Sequence, residues 1–182
     1  MQYRIEVFWS NDLPDGRAAS LLAQLQRLGI HTVTSVRVSD LYFLQGSLSA
    51  ADLERLLDLY RGEAHRVLVV TEGVFSMDGD IAPLDAISAV CERHDAWLLV
   101  DDAHAVGVIG GGRGSGAMFP TARVHLAMGT LSKALGSFGG YVCADKAVID
   151  LLKTRARSSV FATALPPASA AAALAALQVV QT

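Results

Sequence analysis

Two unbroken apolar runs, VLVVT at 67–71 and WLLV at 97–100, leave few options for the second part of this 182-residue chain. Strands without polar alternation suit a sheet covered on both faces. Between them, Pro83 to His94 places Leu84, Ile87, Val90 and Cys91 on one side of a helix. VHLAMG (124–129) and GGYVCA (139–144) are further strand-like stretches, and Lys146 to Ala156 and Ala168 to Val180 are further helices. The order is that of an α/β fold.

The first part has another pattern. Tyr3 to Trp9 alternates, with Ile5, Val7 and Trp9 on one side, as in a half-buried antiparallel strand. Leu13-Pro14-Asp15-Gly16 is turn chemistry, with Asp15 set to cap the helix that carries Leu21, Leu22, Leu25 and Leu28. Thr32 to Val38 and Leu41 to Leu44 are short strands, and Ser47 or Ser49 opens a helix with Leu53, Leu56, Leu57 and Tyr60. This βαββα order predicts a small α+β module over 1–60, both helices on one face of the sheet, with the seam at Arg61-Gly62-Glu63-Ala64 and the α/β part at 61–182. In RIEVFWSNDLPDGRAASLLAQLQRLGI, SVRVSDLY and LSAADLERLLDL it resembles the PurS-type module of phosphoribosylformylglycinamidine synthase, a scaffold that pairs with copies of itself or neighbours the synthase. His31, at a helix-to-strand junction, is expected to be a surface residue.

Composition excludes several function classes. Hydrophobic residues make up 52% of the chain, enough for a sizeable core and too many for a disordered tail. A net charge of −3 with no basic stripe does not point to nucleic acid. Cys91 and Cys143 have no metal-ligand spacing, so no metal is expected; they read as buried or incidental thiols in a reducing compartment. MQYRIEVFW lacks the form of a signal peptide, and the apolar run 168–180 is too short to span a bilayer. A cytoplasmic protein with no membrane partner is the expectation.

Chemistry concentrates between residues 71 and 141. Asp101 closes the WLLV strand, where open α/β sheets place ligands; alone it reads as a capping or loop-fixing aspartate. GVIGGGRGSG (107–116) lacks the GK[ST] ending of a phosphate loop and suits a flexible active-site loop better. Lys133, in GTLSKALGSFGGY, sits between a buried strand and a glycine turn. By itself it reads as a structural or exposed lysine. Paired with Asp101 it matches pyridoxal-phosphate (PLP) chemistry, which needs an amine for the Schiff base and an acid to keep the pyridine nitrogen protonated.

TEGVFSMDGDIAPL, VDDAHAVGVIGGGRGSG, GTLSKALGSFGGYVCA and VFATALPP resemble consecutive blocks of the α-oxoamine synthases, a group of fold-type I PLP enzymes. The resemblance implies part of a PLP-transferase large domain. It implies that Lys133 holds the cofactor and later takes the α-proton of the amino acid, and that Asp101 pairs with the pyridinium. His104 and Ser76 would contact the phenolic oxygen side, and Thr130 would lie near the phosphate or the lysine. Thr163 would reach the phosphate of a neighbouring subunit's cofactor in a dimer, and Glu72 would orient the motif. The implied reaction belongs to the biotin-pathway member: L-alanine condenses with a pimeloyl thioester, with loss of CO2. A related synthase using glycine or another amino acid is the nearest alternative. Members of this group are roughly twice this length. They place a glycine-containing phosphate loop and a ring-stacking histidine upstream, and a small domain with a carboxylate-binding arginine downstream. The expectation is a truncated or chimeric form with little activity alone, with a non-enzymatic fragment or an enzyme completed by a second chain as the other readings.

Overall fold

A computed structural model describes residues 2–8, 16–29, 31, 39–45, 49–63 and 66–180, with backbone alone for 2–8, 39–45 and 63. The chain divides into two compact units, Met1–Leu68 and Val69–Thr182.

In the first unit, β1 (Gln2–Phe8), α1 (Gly16–Arg27), β2 (Ser39–Gln45) and α2 (Ala50–Tyr60) are followed by a 3-10 turn at Arg61–Glu63. β1 and β2 pair antiparallel, with Gln2 opposite Gln45 and Phe8 opposite Ser39. Of the two serines offered as the start of α2, Ser49 caps it. Its hydroxyl accepts from the amide of Asp52 at 3.3 Å, and the Asp52 carboxylate accepts the Ser49 amide at 3.0 Å. An acidic residue three positions on is what makes such a reciprocal box possible. The Ser49 hydroxyl also donates to the Asp52 carboxylate at 2.7 Å, and this bond, then the one from the Ser49 amide, lowers the carboxyl pKa of Asp52. Leu57 is buried, and Leu22 and Leu25 of α1 are half-buried. His31 is exposed, as expected. Asp15, the strand expected over 32–38, Ser47 and Ala64 lie outside the described residues.

The second unit holds β3 (Val67–Glu72, which begins just before the boundary), α3 (Leu84–Arg93), β4 (Ala96–Asp101), a 3-10 turn at Ser115–Ala117, β5 (Leu126–Thr130) and β6 (Gly140–Ala144). Three helices follow: α4 (Lys146–Arg155), α5 (Arg157–Val160) and α6 (Pro167–Val180). The strands lie in the order β3-β4-β5-β6. β4 and β5 are parallel, with Asp101 opposite Met128; β5 and β6 are antiparallel, with Thr130 opposite Gly140. The α/β fold class expected from the sequence is the one found, as a mixed sheet.

Leu84, Ile87, Val90 and Cys91 of α3 are buried, and so are Ala96, Leu98 and Val100 of β4. They form the core. Burial on both faces of the apolar strands was expected, but β4 alternates: Trp97 is 39% exposed and Leu99 half-buried. Leu68 in β3 is 41% exposed. One face of the sheet is thus the better covered, because α3 packs against β4. Asp95 makes the tight link from α3 into β4 with a φ of 48°, a left-handed conformation that aspartate tolerates. The two cysteines are both free but differ. Burial pushes the Cys91 thiol up to about 11, whereas Cys143 is exposed on β6. Among the described residues, no helix is long and apolar enough to cross a membrane.

Candidate active site

The strands β3, β4 and β5 end together. The amide of Gly73, just past β3, donates to the carbonyl of Asp101 at 2.8 Å, and the amide of Asp102 donates to the carbonyl of Met128 in β5 at 2.8 Å. Ser76, His104 and Lys133 follow these three strand ends in their respective loops, so one edge of the sheet presents all three.

Each loop is folded by its own hydrogen bonds. After β3, the Glu72 carboxylate accepts the amide of Ser76 at 3.2 Å and holds the turn that carries the exposed serine. At the end of β4, Asp101 is half-buried and its Oδ1 accepts the amide of Ala103 at 2.9 Å. Its Oδ2 has no hydrogen bond among the described residues. His104 is half-buried in the turn closed by the amides of Ala105 and Val106 on the Asp102 carbonyl, at 2.9 and 3.1 Å.

The loop after β5 carries Lys133. Thr130 Oγ1 donates to the carbonyl of Gly139 at 3.0 Å, accepts the amide of Ser132 at 3.1 Å and lies 2.6 Å from the Ser132 hydroxyl. The amides of Leu131 and Gly136 close the loop on Gly139 and Lys133 carbonyls, at 2.8 and 2.9 Å. Leu135 is buried and anchors it. Lys133 itself is exposed, and its amine makes no hydrogen bond or ion pair among the described residues. Thr130 therefore shapes the lysine loop directly. Thr163 is exposed between α5 and α6, and no hydrogen bond joins its side chain to the other candidates among the described residues. Its segment does reach the lysine loop. A Cβ on Gly139 would lie 3.0 Å from Leu165, and the Ser137 hydroxyl donates to the carbonyl of Ser169 at 2.6 Å.

The glycine-rich stretch, expected to form an active-site loop, folds back on itself. Gly107 donates to the Gly112 carbonyl at 2.8 Å, Gly114 to that of Ile109 at 3.1 Å, and Val106 bridges to Arg113. Gly107 has a φ of 80°, and a Cβ there would sit 2.8 Å from that of Ala134. The glycines let this loop close on itself and lie against the lysine loop. Two polar residues missed from the sequence, Asp102 and Ser115, are buried at its base. The signal was present in the Asp101-Asp102 pair, since successive residues at a strand end face opposite sides and one of the two must turn inward.

The sequence profile of the aminotransferase class I and II family matches residues 31–182. The chain belongs to that family. The match begins well before the seam placed at 61–64 and takes in β2 and α2. A Caulobacter vibrioides (strain NA1000 / CB15N) protein provisionally named 8-amino-7-oxononanoate synthase is 72% identical over 130 residues, which are 71% of this chain and 34% of that protein. The chain thus spans about a third of the length of the curated relatives it matches. A serine palmitoyltransferase solved with PLP as its internal aldimine is 37% identical with a TM-score of 0.67, covering 74% of this chain and 34% of that one. The 8-amino-7-oxononanoate synthase of Francisella tularensis is 27% identical with a TM-score of 0.61, over 97% of this chain and 54% of its own.

Proposed function

We propose that this chain forms the cofactor-binding part of a PLP-dependent acyltransferase of the α-oxoamine synthase type, condensing L-alanine with a pimeloyl thioester and releasing CO2. The observation that carries the reading is the exposed amine of Lys133, held without a partner among the described residues at the same sheet edge as Asp101. The donor set fits PLP: an amine for the aldehyde, a carboxylate with one oxygen not hydrogen-bonded among the described residues for the ring nitrogen, and an imidazole and a hydroxyl for the phenolic oxygen. When bound, PLP supplies an electron sink for charge developing at the substrate's α-carbon.

The chain's own residues do the rest. Lys133 would hold the cofactor through its amine and would take the proton from the α-carbon of the amino acid. Asp101 would hold the ring nitrogen and favour its protonated form. His104 and Ser76 orient the phenolic oxygen side, and Thr130 sets the path of the lysine loop. Thr163 serves the phosphate of a second copy in a homodimer. A cytoplasmic setting belongs to the same proposal and accords with two free cysteines.

The likeness to serine palmitoyltransferase supports a second reading, a related synthase that takes another amino acid. The 72% identity to the Caulobacter protein, against 37% to that enzyme, favours alanine. Incubation with PLP followed by borohydride reduction and peptide mapping tests the assignment. Label at Lys133, lost in Lys133→Ala, is expected. A folded chain with no label would turn the assignment toward a non-enzymatic role.

A further inference from the structure

We infer that Asp102 is a positioning residue of this site: by gripping Ser115 it clamps the glycine-rich loop to the end of β4 and so sets where Asp101 and His104 present their side chains. The inference deepens the PLP assignment and rests on it.

Asp102 is 8% exposed and Ser115 is fully buried. One carboxylate oxygen, Oδ2, accepts the amide of Ser115 at 3.0 Å, and Oδ1 accepts the Ser115 hydroxyl in a short hydrogen bond. A carboxylate this far from water is tolerated only with both oxygens hydrogen-bonded, and one residue meets both. The backbone of Asp102 is equally engaged. Its amide donates to Met128 in β5, and its carbonyl takes the amides of Ala105 and Val106, which close the turn around His104. Asp102 is therefore the point where β4, β5, the His104 turn and the glycine-rich loop are tied together.

The surrounding glycines are shaped to this clamp. A Cβ on Gly73, at the end of β3, would lie 2.0 Å from Asp102 Oδ1 and 2.4 Å from Ser115 Oγ. A Cβ on Gly114 would lie 2.4 Å from Asp102 Oδ2, and its φ of 90° is one that side chains rarely adopt. Two glycines from two loops thus wall the carboxylate, which gives part of the GGGRGSG run a reason unrelated to nucleotide binding. Asp101 and Asp102 alternate at the strand end, so anchoring the inward carboxylate fixes the bearing of the outward one.

The test compares Asp102→Asn, Asp102→Ala and Ser115→Ala with the wild-type chain. Three quantities are read: PLP affinity by absorbance titration, the pH dependence of the visible band of the Lys133 adduct, and amide exchange at Ala105, Val106 and Ser115. Asparagine keeps the clamp, because the Ser115 hydroxyl can turn to accept from its amide, so wild-type behaviour is expected. Ser115→Ala and Asp102→Ala release the loop. Both are expected to lose exchange protection at those amides, weaken PLP binding on the order of tenfold to a hundredfold and move the band's pH profile. If Asp102→Ala does not fold, Ser115→Ala decides. A folded Ser115→Ala with wild-type affinity and pH profile overturns the positioning role alone. A wild-type chain that takes no label at Lys133 overturns the PLP assignment, and the positioning role with it.

Discussion

His125 shows how one side chain's surroundings set its chemistry. Its Nδ1 accepts the amide of Leu98 at 3.1 Å, and its ring stacks on Trp97 with centroids 5.6 Å apart and planes 8° from parallel. Burial, then the charge of Arg123, lowers its pKa, while Asp145 and Glu92 pull weakly the other way. The hydrogen bond agrees in sign, because an acceptor nitrogen carries no proton. With the folded value below the unfolded one, about 6.5, the unfolded state binds more protons in that range. Stability from the neutral ring is therefore complete above about pH 6.5 and is lost as pH falls from there toward the folded value. The urea midpoint should drop between neutral and mildly acidic pH, and His125→Gln should drop less. Parallel curves for the two proteins would refute this. None of it was visible in the chain of letters, where His125 is one apolar-flanked histidine among others; the stack depends on Trp97, 28 positions away, lying on the neighbouring strand.

At the level of elements, the α3–β4 pair carries the core. Leu98 has no exposed surface, so Leu98→Ala should cost about 2–5 kcal/mol, the range for emptying a packed leucine site. Leu174 on α6 is largely exposed, and its alanine variant should stay within about 0.5 kcal/mol of wild type. Urea unfolding of both variants checks the contrast, and equal losses would place the core elsewhere. Elements with a clear local signal were legible: α3 by its apolar stripe, and α4, α6 and the strands of the second unit by their helical or apolar runs, lie within a few residues of their expected bounds. The short α5 was not. Its residues Arg157–Val160 carry no apolar stripe, and one extended residue, Ala156, separates it from α4. How deeply a strand is buried was also hidden, since VLVV reads the same whether one face or two is covered.

On the scale of the whole molecule, the proposed homodimer has a surface to use. Phe161 is 78% exposed, and Val160 and Leu165 beside it are also exposed, in the segment that leads to Thr163 and packs on the lysine loop. An exposed apolar patch beside a residue proposed to serve the cofactor offers a contact for a second copy. Sedimentation equilibrium should give a dimer, and Phe161→Asp a monomer with unchanged circular dichroism. A monomeric wild type at micromolar concentration would refute the arrangement. The family match from residue 31 onward bears on this scale too, because it carries β2 and α2 with the second unit's family, across the seam that composition and pattern had placed at 61–64.

The sequence by itself determined the α/β class, the strand-end place of Asp101 and the loop place of Lys133, because short apolar runs, helical repeats and long motifs are local. Which of two adjacent aspartates turns inward was decided only by the tertiary structure. So were the closure of the glycine-rich loop on itself and the grip of Asp102 on Ser115. Those depend on which segments meet at a sheet edge, and a buried carboxylate finds its partners across space rather than along the chain.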